Sequence, residues 1–130
     1  MGKKTILSAA IAIAEVLKES GEVAAITDRI IPVGELDITA PYVVFRREHL
    51  IERAVKDARG SDQSQIELLC VSNDYEQSLE LAEAVRDAID GCSVENDEGS
   101  IKIRSCRMAD ATEYKLEEAF VQQLKFIIKL

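Results

Sequence analysis

The stretch from Tyr75 to Ile89 leaves the fewest structural options of any part of this chain. Tyr75, Leu79, Ala82, Val85 and Ile89 recur at intervals of three and four residues, with Leu81 widening the stripe, and Glu76, Glu80, Glu83 and Asp87 fill positions between them. That period predicts a helix with one apolar side and one acidic side. Asn73-Asp74 precede it as residues able to accept bonds from the first free N–H groups. Gly91 follows Asp90 as the residue type that tolerates a left-handed C′ position. Such a helix must lay its apolar side on something, and the flanking segments supply a sheet.

Strand signals lie on both sides of this helix. Residues 41–47, from Pro41 through Tyr42-Val43-Val44-Phe45 to Arg47, are β-branched and aromatic, and the strand continues to about Arg53. Residues 54–62 read as a polar turn pivoting on Gly60, and residues 63–72 as the returning strand of a β-hairpin. Beyond an acidic loop at 92–100, a strand is expected from Ile101 to Met108. A polar connection over 109–117 follows, then a closing strand from Phe120 to Leu130 with Phe120, Leu124, Phe126, Ile128 and Leu130 on one side.

Near the start, residues 5–19 place Ile6, Ala10, Ile13 and Leu17 at helical spacing, widened by Leu7, Ile11 and Ala14, and Ser20-Gly21 stops the run. One short helical turn over 22–27, an extended piece at Asp28–Pro32 and an exposed loop at 33–40 complete the order. The expectation is a single domain over 1–130 of α+β class. It consists of an antiparallel sheet of about four strands with two main helices packed on one face.

Charge narrows the function classes. The net charge is −8, and the stretch from Asp74 to Glu98 holds nine acids against Arg86 alone, so it carries the whole imbalance. A duplex-DNA binder needs the opposite, a basic footprint. No run approaches the roughly 20 apolar residues of a membrane span. The opening Met1-Gly2-Lys3-Lys4 precedes an apolar run that Glu15 and Lys18 interrupt, so the segment reads as a folded helix rather than a targeting signal. Cys70, Cys92 and Cys106 lack metal spacing and read as free thiols of a reducing compartment.

Chemistry-bearing motifs are absent where enzymes need them. There is no phosphate loop, dinucleotide fingerprint or nucleophile elbow. His49, the single histidine, would need a thiol beside it to act as a nucleophile's base, and Cys70 on the paired strand is the one candidate. Surface histidine and core cysteine is the plainer reading. The acidic loop fails as a calcium site, because Cys92 and Val94 stand where oxygen ligands are required after Asp90. Glu76, Glu80 and Glu83 share a helix face without pocket residues around them. No catalytic residue, metal or cofactor is expected. Arg46, Arg47, Arg53, Lys56 and Arg59 form the one basic concentration. Together with Glu76, Glu80 and Glu83 they are candidate subunit-interface residues, since a basic surface meeting an acidic one on the next copy is what a head-to-tail contact requires.

The order of elements and several runs resemble the tail-completion, or tail-terminator, proteins of long-tailed phages and prophages. The runs are Asp28-Arg29-Ile30-Ile31-Pro32, Pro41-Tyr42-Val43-Val44-Phe45, Ile66-Glu67-Leu68 through Asn73-Asp74-Tyr75-Glu76, Leu81-Ala82-Glu83-Ala84-Val85-Arg86-Asp87-Ala88-Ile89-Asp90-Gly91, and Phe120-Val121-Gln122-Gln123-Leu124-Lys125-Phe126. Cys70 or Val71 stands where that family often has an aromatic residue. The resemblance implies a non-enzymatic subunit that closes the head-proximal end of a tail tube as a ring, usually a hexamer, and offers a face to the head. Its partners would be further copies of itself, the tail-tube protein and the head connector protein, with DNA passing through unbound. Its location would be the host bacterial cytoplasm during assembly and then the virion tail. A head–tail connector, another minor virion subunit, or a small ligand-binding or regulatory module are the rival expectations.

Overall fold

The computed structural model describes residues 9–32, 39–51, 63–91, 94–95, 102–103 and 105–129. Its class is the expected α+β, with five strands in the main sheet where the sequence pattern suggests about four. Helices α1 (Ala9–Glu19) and α2 (Gly21–Ala24) lead into strand β1 (Ile30–Pro32). Strands β2 (Tyr42–Ile51) and β3 (Gln63–Ser72) follow, then helix α3 (Tyr75–Ile89). The short pieces β4 (Val94–Glu95) and β5 (Lys102–Ile103) pair with each other. Strands β6 (Ser105–Leu116) and β7 (Ala119–Lys129) close the chain.

The main sheet runs β1-β2-β3-β7-β6. Its pairs are antiparallel except β1, which lies parallel to β2 with Ile30 opposite Val43. Three residues are too few to carry a readable alternation, so Asp28–Pro32 reveals its strand only through its partner. A side chain fixes this join: the Thr27 hydroxyl donates to the Pro41 carbonyl (2.7 Å) and accepts from the Arg29 N–H (3.0 Å).

Alternate residues of each strand point to opposite faces. Val43 of β2, Ile66, Leu68 and Cys70 of β3 and Leu124, Phe126 and Ile128 of β7 point into the core. Across from them lie Ala12, Ile13, Ala14 and Leu17 of α1, Val23 of α2 and Leu81, Ala82, Val85 and Ile89 of α3. Both main helices therefore cover the same sheet face, and among the described residues the other face has no helix on it. The Ser20 hydroxyl accepts from the Val23 N–H (3.3 Å), which is why Ser20-Gly21 both stops α1 and starts α2. Gly91 takes the left-handed conformation (φ 82°) expected of a helix C′ residue.

Three sequence expectations are corrected. Tyr75 and Leu79 sit on the helix stripe by spacing yet are exposed, and Ser78 and Ala84 are buried in their stead, while Leu81 is buried as expected. Ile11 on α1 is likewise exposed. Residues 109–117 are no connection: β6 continues to Leu116, and a two-residue turn at Glu117-Glu118 joins it to β7. Residues 109–118 of the resulting hairpin are all exposed, although Tyr75 in the first turn of α3 bonds Glu113 there. Four expectations lie outside the described residues: the helical start at 5–8, most of the loop at 33–40, the hairpin tip at 54–62, and the 92–100 loop apart from β4.

The burial pattern generates a mutational test. Leu81→Ala, a fully buried large-to-small change, should lower the free energy of unfolding by about 2–5 kcal/mol. Leu79→Ala should cost clearly less, because that side chain already meets solvent. Urea denaturation of the two variants measures the difference.

Candidate assembly surfaces

Three surfaces carry the candidate side chains. The first is the outer side of α3, where Glu76, Glu80 and Glu83 are all exposed. They join Glu22 and Asp87 around a groove between α2 and α3 whose floor is Ile26, Leu79 and Ala84. The sequence pattern grouped the three glutamates correctly but did not reveal Glu22, which the α1–α2 turn brings alongside.

The second is the middle of the helix-free sheet face. Arg46 and Glu67 are cross-strand partners in the β2–β3 register. The Arg46 guanidinium donates to Glu67 Oε1 through Nε at 2.8 Å, with Nη2 at 2.7 Å from the same oxygen. Gln123 Nε2 donates to Glu67 Oε2 from β7. Glu67 is only 1% exposed, and a carboxylate so buried requires such partners. Arg46 is thus held within its own subunit, whereas Arg47 is exposed. Arg53, Lys56 and Arg59 lie outside the described residues.

The third is the end of the sheet formed by the β6–β7 hairpin, which no sequence pattern marked. Here the first turn of α3 is fastened to both hairpin strands. Glu113 of β6 accepts from the Tyr75 hydroxyl (3.0 Å) and from Gln122 Nε2 (3.1 Å), and Gln122 Nε2 also donates to Ser78 Oγ (3.3 Å). Ser78 Oγ donates back to the Tyr75 carbonyl (2.6 Å). The Tyr75 ring meets Phe120 edge-on at 5.5 Å, and Lys115 Nζ stands 5.3 Å from the centre of the Phe120 ring. Next to this clamp the helix-free face forms a groove of about 410 Å³. Tyr42, Val44, Leu69, Val71 and Val121 line it, with Glu117 and Glu118 at its rim.

The Cys–His pair is not assembled. His49 is opposite Gln65 and Cys70 opposite Val43, five positions further along β3, or about 17 Å. Burial also pushes the Cys70 thiol up to about 12, so it is protonated at neutral pH. Among the described residues no cluster of His, Cys, Asp and Glu has the arrangement of a metal site. Among the same residues no helix is long and apolar enough to cross a membrane.

The hairpin clamp yields a pH prediction. The bond to Glu113, then partial desolvation and the Glu113 charge, raise the Tyr75 hydroxyl above its usual 10. A folded-state value above the unfolded one means that the contact stabilises fully below about pH 10 and is lost as pH rises through the raised value. Glu113→Gln should return Tyr75 toward the ordinary tyrosine value, as read by site-resolved NMR titration of the tyrosine ring.

No protein family model matches the chain. No curated protein matches it either. Among solved structures, the fold is similar to that of a chain in the "Virion of native gene transfer agent (GTA) particle". The two superpose with a TM-score of 0.78 over 97% of this chain and 98% of that one, at 16% sequence identity. At that identity the likeness establishes a shared fold, complete from end to end.

Proposed function

We propose that the protein is a structural subunit of a phage-like virion that caps the head-proximal end of the tail tube as a ring. The observation that carries this reading is the near-complete superposition on a virion chain. A likeness covering almost all of both chains makes the two comparable as whole subunits rather than through one shared motif. The sequence resemblance to tail-completion proteins points the same way on separate grounds, since it rests on runs of residues and not on coordinates.

The physical character of the surfaces supports an assembling subunit. One sheet face is left without a helix yet carries an apolar groove, and antiparallel sheets that face water normally place polar residues there. The acidic balance suits a ring through which DNA passes without adhering, because phosphate binding needs cations. In this reading the partners are further copies of the chain, a tail-tube protein and a head connector protein. The protein has no catalytic role and needs no cofactor.

The decisive experiment mixes purified protein with polymerising tail-tube subunits of the same phage and measures tube lengths by electron microscopy. Tubes should stop growing in proportion to the protein added, and labelled protein should appear at one tube end only. Label at the head vertex with unchanged tubes would instead favour a connector. The non-enzymatic reading has its own check: His49→Ala should cap tubes as the wild type does. A folded His49→Ala protein that fails to cap would count against it.

A further inference from the structure

Among the described residues, the two ends of the main sheet differ in charge. Glu117 and Glu118 are exposed at the β6–β7 turn beside the groove, while Asp74, Glu76 and Glu113, with Lys115, are exposed on the helix side of the same end. The strand registers put the other end at Ile51–Gln63, Lys129 and Ser105. There Arg107 and Lys129 are exposed on the groove's face of the sheet, while Arg47, opposite the core residue Ile66, is on the helix-bearing face. Arg107 is directly opposite Ile127, and Lys129 lies two residues further along the same face of β7, so an apolar side chain sits between two cations.

The acidic end also has the apolar groove of Tyr42, Val44, Leu69, Val71 and Val121. Beside it, Tyr114 is 43% and Leu116 62% exposed. The strand that bears these two, β6, is an edge strand of the main sheet. Isolated apolar side chains on a surface need no explanation, but a groove, an exposed hairpin and an edge strand in one place mark a contact surface.

We infer that this groove is the docking site for the basic end of a second copy of the same chain. The charge complementarity is internal to the molecule: the patch with the matching chemistry is Arg107, Ile127 and Lys129, on the groove's own sheet face at its far end. The distance along β7 from Ala119 to Lys129 is about 33 Å, so a subunit cannot satisfy the groove with its own cations. Each contact leaves one unused patch of each kind, which propagates the arrangement to a ring or a chain. Apolar burial in the groove supplies affinity, and the charges set orientation. The proposal rests on the reading of this protein as an assembling virion subunit and names the surface by which it assembles. It differs from a contact through the acidic face of α3, which lies over the opposite sheet face.

The test uses the full-length chain. Carbodiimide joins a lysine amine to a carboxylate only where the two are in contact, and mixing isotopically light and heavy protein identifies links between copies. Links from Lys129 to Glu117 or Glu118 are expected in light–heavy pairs. By sedimentation at low salt, Glu117→Lys with Glu118→Lys should weaken self-association about tenfold. Adding Arg107→Glu and Lys129→Glu to the same chain should restore most of it, and the difference should shrink as salt rises. An unchanged thermal melt shows that each variant is folded, and Leu116→Ser, at an exposed site, tests the apolar part independently. Wild-type protein that stays monomeric up to millimolar concentration overturns the inference. So does self-association indifferent to the Glu117→Lys, Glu118→Lys pair, or links confined to Glu76, Glu80 and Glu83. The tube-capping assay separates the two readings. Variants that cap and associate normally overturn the groove contact alone, whereas wild-type protein that forms the expected links but caps no tube overturns the tail-cap reading alone.

Discussion

Strand β7 is the element on which the rest depends. It lies between β3 and β6 and bonds to both over nearly its whole length. Its inward residues Leu124, Phe126 and Ile128 form part of the surface that α3 covers. Phe126 is fully buried and heads the large side chains of the core. In a chain without tryptophan and with few aromatics, a core of Ile, Leu, Val and Ala must gain its stability from tight packing against one continuous surface. The sheet centred on β7 is that surface, and both main helices are on the same side of it.

That arrangement leaves the outward residues of β2, β3 and β7 to be stabilised in another way. At the middle of the outer face, Glu67 is almost fully buried without a helix above it. Arg46 and Gln123 enclose it from the two neighbouring strands. A buried charge deprived of its partner costs several kcal/mol, at about 3–5. The Arg46–Glu67–Gln123 group therefore ties β2, β3 and β7 together on the outer face while the helices hold them on the inner one. It also divides the outer face into an apolar, acid-rimmed end and a basic end.

How much of this was legible in the sequence varied with the range of the determining contact. The end of α3 was readable because Asp90-Gly91 acts locally, and Ala82, Val85 and Ile89 are buried as their spacing requires. The start of α3 was not. Tyr75 and Leu79 match the stripe, but the hairpin beneath them presents Glu113 and Gln122. A polar surface selects Ser78, which can bond to it, over Leu79, which cannot. Those partners are 35 or more residues away in the chain. The β6–β7 hairpin was hidden for two reasons. Its turn is Glu117-Glu118, with Glu117 at φ 55°, rather than the Asn-Gly or Asp-Gly that announces a two-residue turn. The outer part of β6 and the turn are exposed over 109–118, so no alternation of burial was imposed on that stretch of sequence. Among the candidate interface residues, the grouping of Glu76, Glu80 and Glu83 was visible from helical spacing. The commitment of Arg46 to Glu67 was not, because it depends on the β2–β3 register.

The opposition of charge between the two ends follows from topology more than from any single residue. The β2–β3 and β6–β7 hairpins turn at opposite ends of one sheet, and turns are where a chain accumulates its polar residues. Among the described residues, Arg107 and Lys129 at the Ile51–Gln63 end and Glu117-Glu118 at the β6–β7 turn polarise the outer face along its strands. Such a molecule cannot neutralise itself, because its two patches are separated by the length of a strand. In the contact proposed above, a second copy would bring them together, with the groove beside Glu117 and Glu118 as its apolar seat. Polarity along the sheet and a face with no helix among the described residues are two results of one topology, which leaves the groove and the cations Arg107 and Lys129 on one face at opposite ends of the strands.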